Sequence, residues 1–153
     1  MELKDYLKQV AADLEYPTVA GKIFNSVFYG NDFETNAQSS DDAIYPLCQI
    51  VPPLSSGIDI HPLTTKNKDR WNVFVYFCDI QPENMDTTAE GNDDIIQRMR
   101  NAAKVYINKL NRSGFFDPIT KAEFKHITFK FDATTAGVLM FFTLSERPGV
   151  IYC

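Results

Sequence analysis

The stretch RWNVFVYFCD, residues 70–79, is apolar on both sides of a predicted β-strand. Successive side chains of a strand point to opposite faces of the sheet. One face of this strand would carry Trp71, Val73, Val75 and Phe77, and the other Phe74, Tyr76, Cys78 and Ile80. A strand with one solvated face needs apolar residues on the other face only. The stretch therefore predicts a central strand with protein packed against both of its faces.

The remaining chain predicts an α+β fold in the order helix, three strands, long helix, two strands. Apolar residues at helical spacing predict helices over 2–14 and 93–112. Strands are predicted over 22–29, 43–51, about 70–80, 123–131 and 138–145. The last two would form a hairpin around the link DATTAG. We expect a mixed, mainly antiparallel sheet with the helices packed on it, and a single domain over residues 1–153.

Breaker residues refine this prediction. Pro46 lacks a backbone donor, which favours a position of the second strand at the edge of the sheet. The polar or irregular segments 30–42, 52–69 and 81–92 are predicted to be loops. Loops of this length in a compact domain are commonly functional.

The strand predicted at 138–145, VLMFFTLS, is also apolar on both faces. If both helices pack on the same face of the sheet, the other face keeps an apolar patch of the kind that marks a protein interface. Phe74, Tyr76, Leu139 and Phe141 are the candidates for this interface. Two alternatives remain open, in which one helix covers each face or the sheet curls to cover itself.

Basic residues border the apolar stripe of the long helix on both sides. Arg98, Lys109 and Arg112 lie on one side, and Arg100 and Lys104 on the other. They could meet acidic loops of a neighbouring copy, such as 81–92. Alternatively, they are solvated side chains whose aliphatic stems cover the edge of the core.

Composition limits the classes of function. A net charge of −5 and a pI near 4.9 argue against a protein that grips nucleic acid. The N-terminal segment MELKDYLKQVAADLEY lacks the apolar run of a signal peptide, and no segment has the length and hydropathy of a membrane span. Cys48, Cys78 and Cys153 form no disulfide pattern. These features predict synthesis in a reducing cytoplasm.

No catalytic, metal or cofactor site is predicted. A Cys/His hydrolase would need His61 or His126 beside a reactive Cys48 or Cys78, yet Cys78 lies in an apolar strand where a thiol is inert. The sequence has no metal-ligand spacing, no glycine-rich phosphate loop and no serine elbow. We therefore expect a protein without enzymatic activity.

Three stretches carry a resemblance to a family. KDRWNVFVYFCD (68–79), NDDIIQRMRNAAKVYINKLNRSGFF (92–116) and AGVLMFFTLSE (136–146) follow one another in the predicted order of elements. In these stretches and in the order of elements, roughly residues 1–147 resemble the small phage and prophage tail-completion proteins of the tail-terminator and head–tail connector class. The resemblance implies a structural virion protein, and no residue-by-residue site.

The resemblance also implies a homo-oligomer, usually a hexameric ring, that completes the tail and joins it to the head. Its partners would be tail-tube proteins and neck proteins on the portal side, contacted by the long loops, with DNA only as a passing occupant of the lumen. The protein would be made in the bacterial host cytoplasm and reside in the virion. The alternative is a small bacterial α+β module that binds a ligand or protein, with a pocket between helix and sheet lined by Tyr76, Phe141 and Tyr106.

Overall fold

A computed structural model describes residues 2–18, 20–30, 44–60, 62–63, 67–80, 89–128 and 135–146. The elements in chain order are α1 (Leu3–Ala12), β1 (Ser26–Tyr29), β2 (Leu47–Asp59), β3 (Lys68–Ile80), α2 (Ala89–Arg112), β4 (Ala122–Thr128) and β5 (Thr135–Ser145). The predicted α+β class and the order of helices and strands are thereby confirmed.

The strands form one sheet in the order β1-β2-β3-β5-β4. β1 runs parallel to β2, and the other three neighbouring pairs are antiparallel, so the sheet is mixed and mainly antiparallel as predicted. The predicted terminal hairpin is the β4–β5 pair. β3 lies at the centre of the sheet and pairs with β2 on one side and with β5 on the other.

Both helices pack on the same face of the sheet. This face presents Val73, Val75 and Phe77 from β3, and all three are fully buried in one cluster with residues of α1 and α2. Their partners across the β3–β5 ladder are Phe142, Met140 and Val138, which belong to the same cluster. Of the two helix arrangements that the sequence left open, the structure therefore has the one-sided arrangement.

A tyrosine joins the two helices to the sheet. Tyr106 of α2 is fully buried, and its ring meets the ring of Phe77 edge-on with centroids 5.7 Å apart. Its hydroxyl donates a hydrogen bond to the backbone carbonyl of Leu7 in α1 at 3.3 Å. A buried tyrosine hydroxyl needs such a partner. This hydrogen bond satisfies it and fixes α1 beside α2.

The central strands approach each other closely at Gly137. A Cβ atom at this position would collide with the carbonyl oxygen of Phe77 and lie 2.9 Å from the Cα atom of Cys78. Only glycine fits between the backbones of β3 and β5 at this point.

The structure corrects the predictions for residues 43–69. The segment 52–69 is not a loop, since β2 continues to Asp59 and pairs with β3 from Lys68 onwards. Pro52 and Pro53 coincide with a register shift between Val51 and Leu54, where a bulge tolerates their missing donors. β2 lies between β1 and β3, so the predicted edge position was wrong. Pro46 lies one residue before β2 and therefore removes no donor from its ladder.

Other element boundaries also differ. β1 covers only Ser26–Tyr29 of the strand predicted at 22–29, with Lys22 in an isolated bridge to Glu15. α2 begins at Ala89, within the loop predicted at 81–92. β5 begins at Thr135, inside the predicted link. Residues 31–42 and 81–88 of the predicted loops lie outside the described residues.

Candidate functional site

The sheet face opposite the helices, called the open face from here on, carries all four apolar interface candidates. Phe74 pairs with Phe141, and Tyr76 pairs with Leu139, across the β3–β5 ladder. All four side chains are partly exposed, and neither described helix lies over them. The sheet therefore brings together the four residues that the alternation of side chains along each strand had predicted to share one face.

Phe74 and Phe141 form a stacked pair at the centre of the open face. Their ring centroids are 5.9 Å apart, and the ring planes differ by 24°. An aromatic pair of this kind contributes about 0.5–1.5 kcal/mol beyond the burial of its area. The pair therefore forms a continuous, partly exposed apolar surface on this face.

One end of the open face is closed by the protein's own packing. Tyr45, Leu47 and Cys78 form a small buried cluster there, and Tyr76 and Phe28 are partly buried against it. Gln49 is also fully buried, and its Nε2 atom donates to the carbonyl oxygen of Gly30 at 3.4 Å. This end of the face is a second, minor core.

The other end of the open face forms a groove of about 600 Å³, called the end groove. Its floor includes the rings of Phe74 and Phe141 and the exposed side chains of Asn72 and Thr143. The hydroxyl of Thr143 donates to Oδ1 of Asn72 at 3.2 Å. The segment 118–121, between α2 and β4, forms one wall.

Hydrogen bonds hold this wall in place. The backbone amide of Asp117 donates to the carbonyl of Ser145 at 2.9 Å, which ties the start of the segment to the end of β5. The amide of Ile119 donates to Oδ1 of Asn111 at 2.7 Å, and Nδ2 of Asn111 donates back to the carbonyl of Ile119 at 3.1 Å. The groove is therefore a preformed feature of the fold.

Charged groups line the rim of the end groove. Lys121 and Glu123 form an ion pair of 3.2 Å between two exposed side chains. Exposed pairs of this kind contribute about 0–1 kcal/mol to stability, so that Lys121 or Glu123 can form a different ion pair at low cost. The groove thus combines an aromatic floor with a rim of exchangeable charge.

A second apolar surface lies at the end of the β2–β3 hairpin. Ile58, Ile60 and Leu63 are 54%, 76% and 89% exposed, and in the described part of the chain Phe115 is the only other exposed large apolar side chain. This surface was not predicted, because residues 52–69 have the composition of a loop. The alternation of apolar and polar residues in GIDI, residues 57–60, is the signal that could have revealed it.

Among the basic interface candidates of α2, Arg98 already has partners within the chain. Its guanidinium lies 3.0 Å from Asp79 and 3.5 Å from Asp94. The Asp79 side chain is only 13% exposed, so this pair is partly shielded from water. Arg98 therefore connects α2 to the end of β3.

The other four basic candidates lie in two places. Arg100 places its guanidinium 5.6 Å from the ring centre of Phe124 in β4, and Lys104 is exposed. Lys109 and Arg112 are exposed in the last turn of α2, beside a groove shared with α1. None of the five lies on the open face.

Both described cysteines are buried, and neither forms a disulfide. Burial, with Cys78 as a second cause, raises the pKa of the Cys48 thiol well above its ordinary value. A thiol with a raised pKa is a poor nucleophile, since the thiolate is the reactive form. His126 is exposed on the edge strand β4, and His61 lies outside the described residues. Within the described ranges, no group of three or more His, Cys, Asp or Glu side chains could hold a metal ion.

The pocket predicted between helix and sheet does not form. Tyr106 is buried on the helix side of the sheet, whereas Tyr76 and Phe141 lie on the open face. The backbone of the sheet separates them, so these three residues cannot line one cavity. Of the helices in the described ranges, none has the length and apolar character needed to cross a membrane.

Comparison with known proteins assigns no family. No family model matches the chain, and no curated protein is significantly similar to it.

Proposed function

We propose that this protein is a structural subunit of a ring at the phage neck or tail end, of the tail-terminator or head–tail connector class. The observation that carries the proposal is the one-sided packing of α1 and α2, which leaves Phe74, Tyr76, Leu139 and Phe141 on a sheet face that neither helix covers. An apolar face of this kind is typical of a protein interface.

A neighbouring copy is the partner that best fits this face in a virion protein. Subunits that join through two different surfaces close into a ring when the rotation between them permits it. The stacked Phe74–Phe141 pair and the preformed end groove supply one such surface. The exposed end of the β2–β3 hairpin supplies a candidate for the other.

The charge of the chain is consistent with a passage for DNA. With a net charge of −5, the protein has no excess of basic residues to hold a phosphate backbone. A ring with an acidic lumen would let the genome slide through without binding it. In this proposal, the lasting partners are tail-tube proteins and neck proteins on the portal side, in the virion.

The experiment that tests the proposal measures the assembly state of the purified protein. Size-exclusion chromatography with light scattering, with and without the tail-tube protein encoded by the same genome, is expected to show a ring, and negative-stain microscopy should resolve its lumen. A strict monomer under both conditions would contradict the proposal. In a phage that carries a deletion of the gene, we expect filled heads and unjoined or overlong tails.

A small bacterial α+β binding module without catalysis is the second candidate. The end groove favours it, because an aromatic floor with a polar rim is suited to a peptide or small ligand. This function predicts a monomer whose melting temperature rises with ligand, together with normal head–tail joining when the gene is deleted.

A further inference from the structure

The outer edge of β4 has no strand beside it in the described part of the chain. β4 pairs only with β5, over residues 122–128 and without a register shift. A regular edge strand presents a row of backbone donors and acceptors that can pair with another extended chain. We propose that the edge of β4 binds an extended acidic segment of a partner protein, which joins the sheet as a further strand. This inference goes beyond the proposed ring and does not depend on it, because the ring contacts are proposed on other surfaces.

Two hydrogen bonds at the end of β5 show the direction of its backbone groups. The amide of Glu146 donates to the carbonyl of Asp69, on the β3 side, at 3.0 Å. The carbonyl of Ser145 accepts from the amide of Asp117 at 2.9 Å, on the opposite side of β5. The direction alternates from each residue of a strand to the next, and the β3–β5 ladder has no register shift that would interrupt the alternation. The odd-numbered residues of β5 therefore direct their backbone groups towards β4.

The register of the β4–β5 pair then assigns the direction of each residue in β4. Lys125 lies opposite Leu139, so the amide and carbonyl of Lys125 pair with β5. Phe124 and His126 lie opposite even-numbered residues, and their amides and carbonyls point away from β5. The described residues supply no second strand for these outer groups. Phe124 and His126 are therefore the residues through which an added strand would pair.

The surroundings of Phe124 determine which side chains an added strand must carry. Phe124 pairs with Met140, which is buried in the core, so the side chain of Phe124 lies on the helix side of the sheet. A residue directly opposite Phe124 in an added strand would point to the same side. There the guanidinium carbon of Arg100 lies 5.6 Å from the centre of the Phe124 ring, and the Nε atom of Arg100 is buried with no hydrogen-bond partner among the described residues. An acidic side chain opposite Phe124 would give this guanidinium an acceptor.

A second cation lies on the same flank of α2. Arg100 contacts Phe124, and Asn111 exchanges hydrogen bonds with Ile119, so both of these α2 residues face the β4 side. Lys104 is four residues after Arg100 and seven before Asn111, a spacing that places all three on one stripe of the helix. The side chain of Lys104 is exposed. Arg100 and Lys104 therefore form a basic border along the helix side of the β4 edge.

The opposite side of the β4 edge is also basic. Lys125 is exposed and, through its pairing with Leu139, lies on the open face. Arg100, Lys104 and Lys125 form no ion pair with any residue that the structure describes. In a chain with a net charge of −5, these unpaired cations are a local excess of positive charge. An added strand would meet cations on both of its faces, which favours an acidic occupant.

Two other occupants match this edge less well. A second copy that paired its own β4 with the edge would bring its cations towards those of the first copy, and such like-charge contacts disfavour association. A nucleic acid would match the charge, but it has no row of amides and carbonyls to pair with Phe124 and His126. An acidic strand of a partner protein complements both the backbone edge and the cations.

The binding experiment uses the full-length protein and a fluorescein-labelled short peptide in which glutamate alternates with valine. Fluorescence anisotropy is expected to show saturable binding that weakens as salt is added. Hydrogen exchange at the amides of Phe124 and His126 should slow on binding, because these donors become paired. The same peptide with N-methylated backbone amides keeps its charge but cannot pair as a strand, so it should bind at least about tenfold more weakly. A peptide with lysine in place of glutamate should not bind.

A proline substitution tests the backbone of the edge. His126→Pro removes an outward amide that the β4–β5 ladder does not use, and proline is tolerated at such positions of edge strands. Peptide binding should weaken at least about tenfold. Glu2→Pro, at the start of α1 where φ is −71°, is the proline control and should bind as the wild type does.

Charge reversals test the cations that flank the edge. Lys104→Glu with Lys125→Glu, both at exposed positions, should weaken peptide binding at least about tenfold. Lys109→Glu with Arg112→Glu makes the same change of charge at exposed positions in the last turn of α2 and is the control. Circular dichroism and melting temperatures confirm that all the variants are folded.

Several results would overturn strand binding at β4. These are no binding of the peptide, equal binding of its N-methylated form, or competition by a dT oligonucleotide as strong as that by unlabelled peptide. An oligomer that His126→Pro dissociates would identify a second copy as the occupant and would also contradict the inference. If the protein stays a monomer with its tail-tube protein but binds the peptide, the ring function fails and strand binding stands. If rings form and the peptide does not bind, only strand binding fails.

Discussion

Phe74 of β3 and Phe141 of β5 stack with centroids 5.9 Å apart on the sheet face that neither described helix covers. On the other face, their neighbours Val75 and Met140 are fully buried beneath α2. The two faces of these central strands therefore differ, since one forms the core and the other is partly exposed and covered by neither described helix. The difference between the two faces can be tested by substitutions at the adjacent residues Val75 and Tyr76.

A negative charge at Val75 should reduce the stability of the fold, whereas one at Tyr76 should mainly prevent assembly. Val75→Asp would bury an unpaired carboxylate in the core, and we expect a loss of more than about 4 kcal/mol in the free energy of unfolding. Tyr76→Asp, on the open face, should cost less than about 2 kcal/mol and leave a folded protein that no longer assembles. Urea unfolding and light scattering measure the two effects. Assembly of a folded Tyr76→Asp protein would exclude Tyr76 from the interface.

The pair Arg98–Asp79 should contribute to stability within one chain. A double-mutant cycle with Arg98→Ala and Asp79→Ala is expected to give a coupling free energy of about 0.5–1 kcal/mol, because Arg98 remains partly exposed to water. The coupling should decrease at high salt. Lys104→Ala on the same helix is the control, with no coupling to Asp79. If Arg98→Ala instead prevents the proposed ring assembly without loss of stability, Arg98 acts between subunits.

Gly137→Ala should destabilise the sheet strongly. The added methyl group collides with the carbonyl oxygen of Phe77, so β3 and β5 must separate, at a cost of about 3 kcal/mol or more. Gly114→Ala, at the end of α2 where φ is +74°, is the matched control and should cost about 1 kcal/mol. Denaturant midpoints at constant m-value report both changes. Equal effects of the two substitutions would show that the close approach at Gly137 relaxes easily.

The buried Cys48 thiol predicts a specific dependence of stability on alkaline pH. Its pKa is raised in the folded protein, whereas the unfolded chain ionises near the ordinary value of 9.0. The contribution to stability is therefore complete below that value and is lost progressively as the pH rises above it. Unfolding free energies measured from pH about 8 to about 10 should fall more steeply in the wild type than in Cys48→Ala.

Alkylation tests the same thiols directly. In a Cys153→Ser background, Cys48 and Cys78 should resist iodoacetamide in the folded protein and react after unfolding, because both are fully buried. Peptide mapping of the alkylated sites identifies which thiol reacts. Fast modification of native Cys48 or Cys78 would revive the hypothesis of a cysteine nucleophile.

The sequence allowed the faces of β3 and the order of elements to be predicted because both depend on local periodicity. The extent of β2 was missed, since Pro52 and Pro53 indicate a loop, and the bulge that accommodates them depends on pairing with β3. The exposed apolar end of the β2–β3 hairpin was not predicted for the same reason. The end groove was also beyond prediction, because its wall is made by hydrogen bonds between Ile119 and Asn111 that local pattern does not encode.

The amino-acid sequence by itself determined which side chains share a face of each strand and helix, as the alternation in residues 70–79 shows. Only the tertiary structure decided that both helices cover the same face and that Phe74 and Phe141 stack on the other. The physical reason is that periodicity fixes the direction of a side chain relative to its own element. The side of the sheet on which a helix packs depends instead on long-range contacts, such as the hydrogen bond from Tyr106 to Leu7.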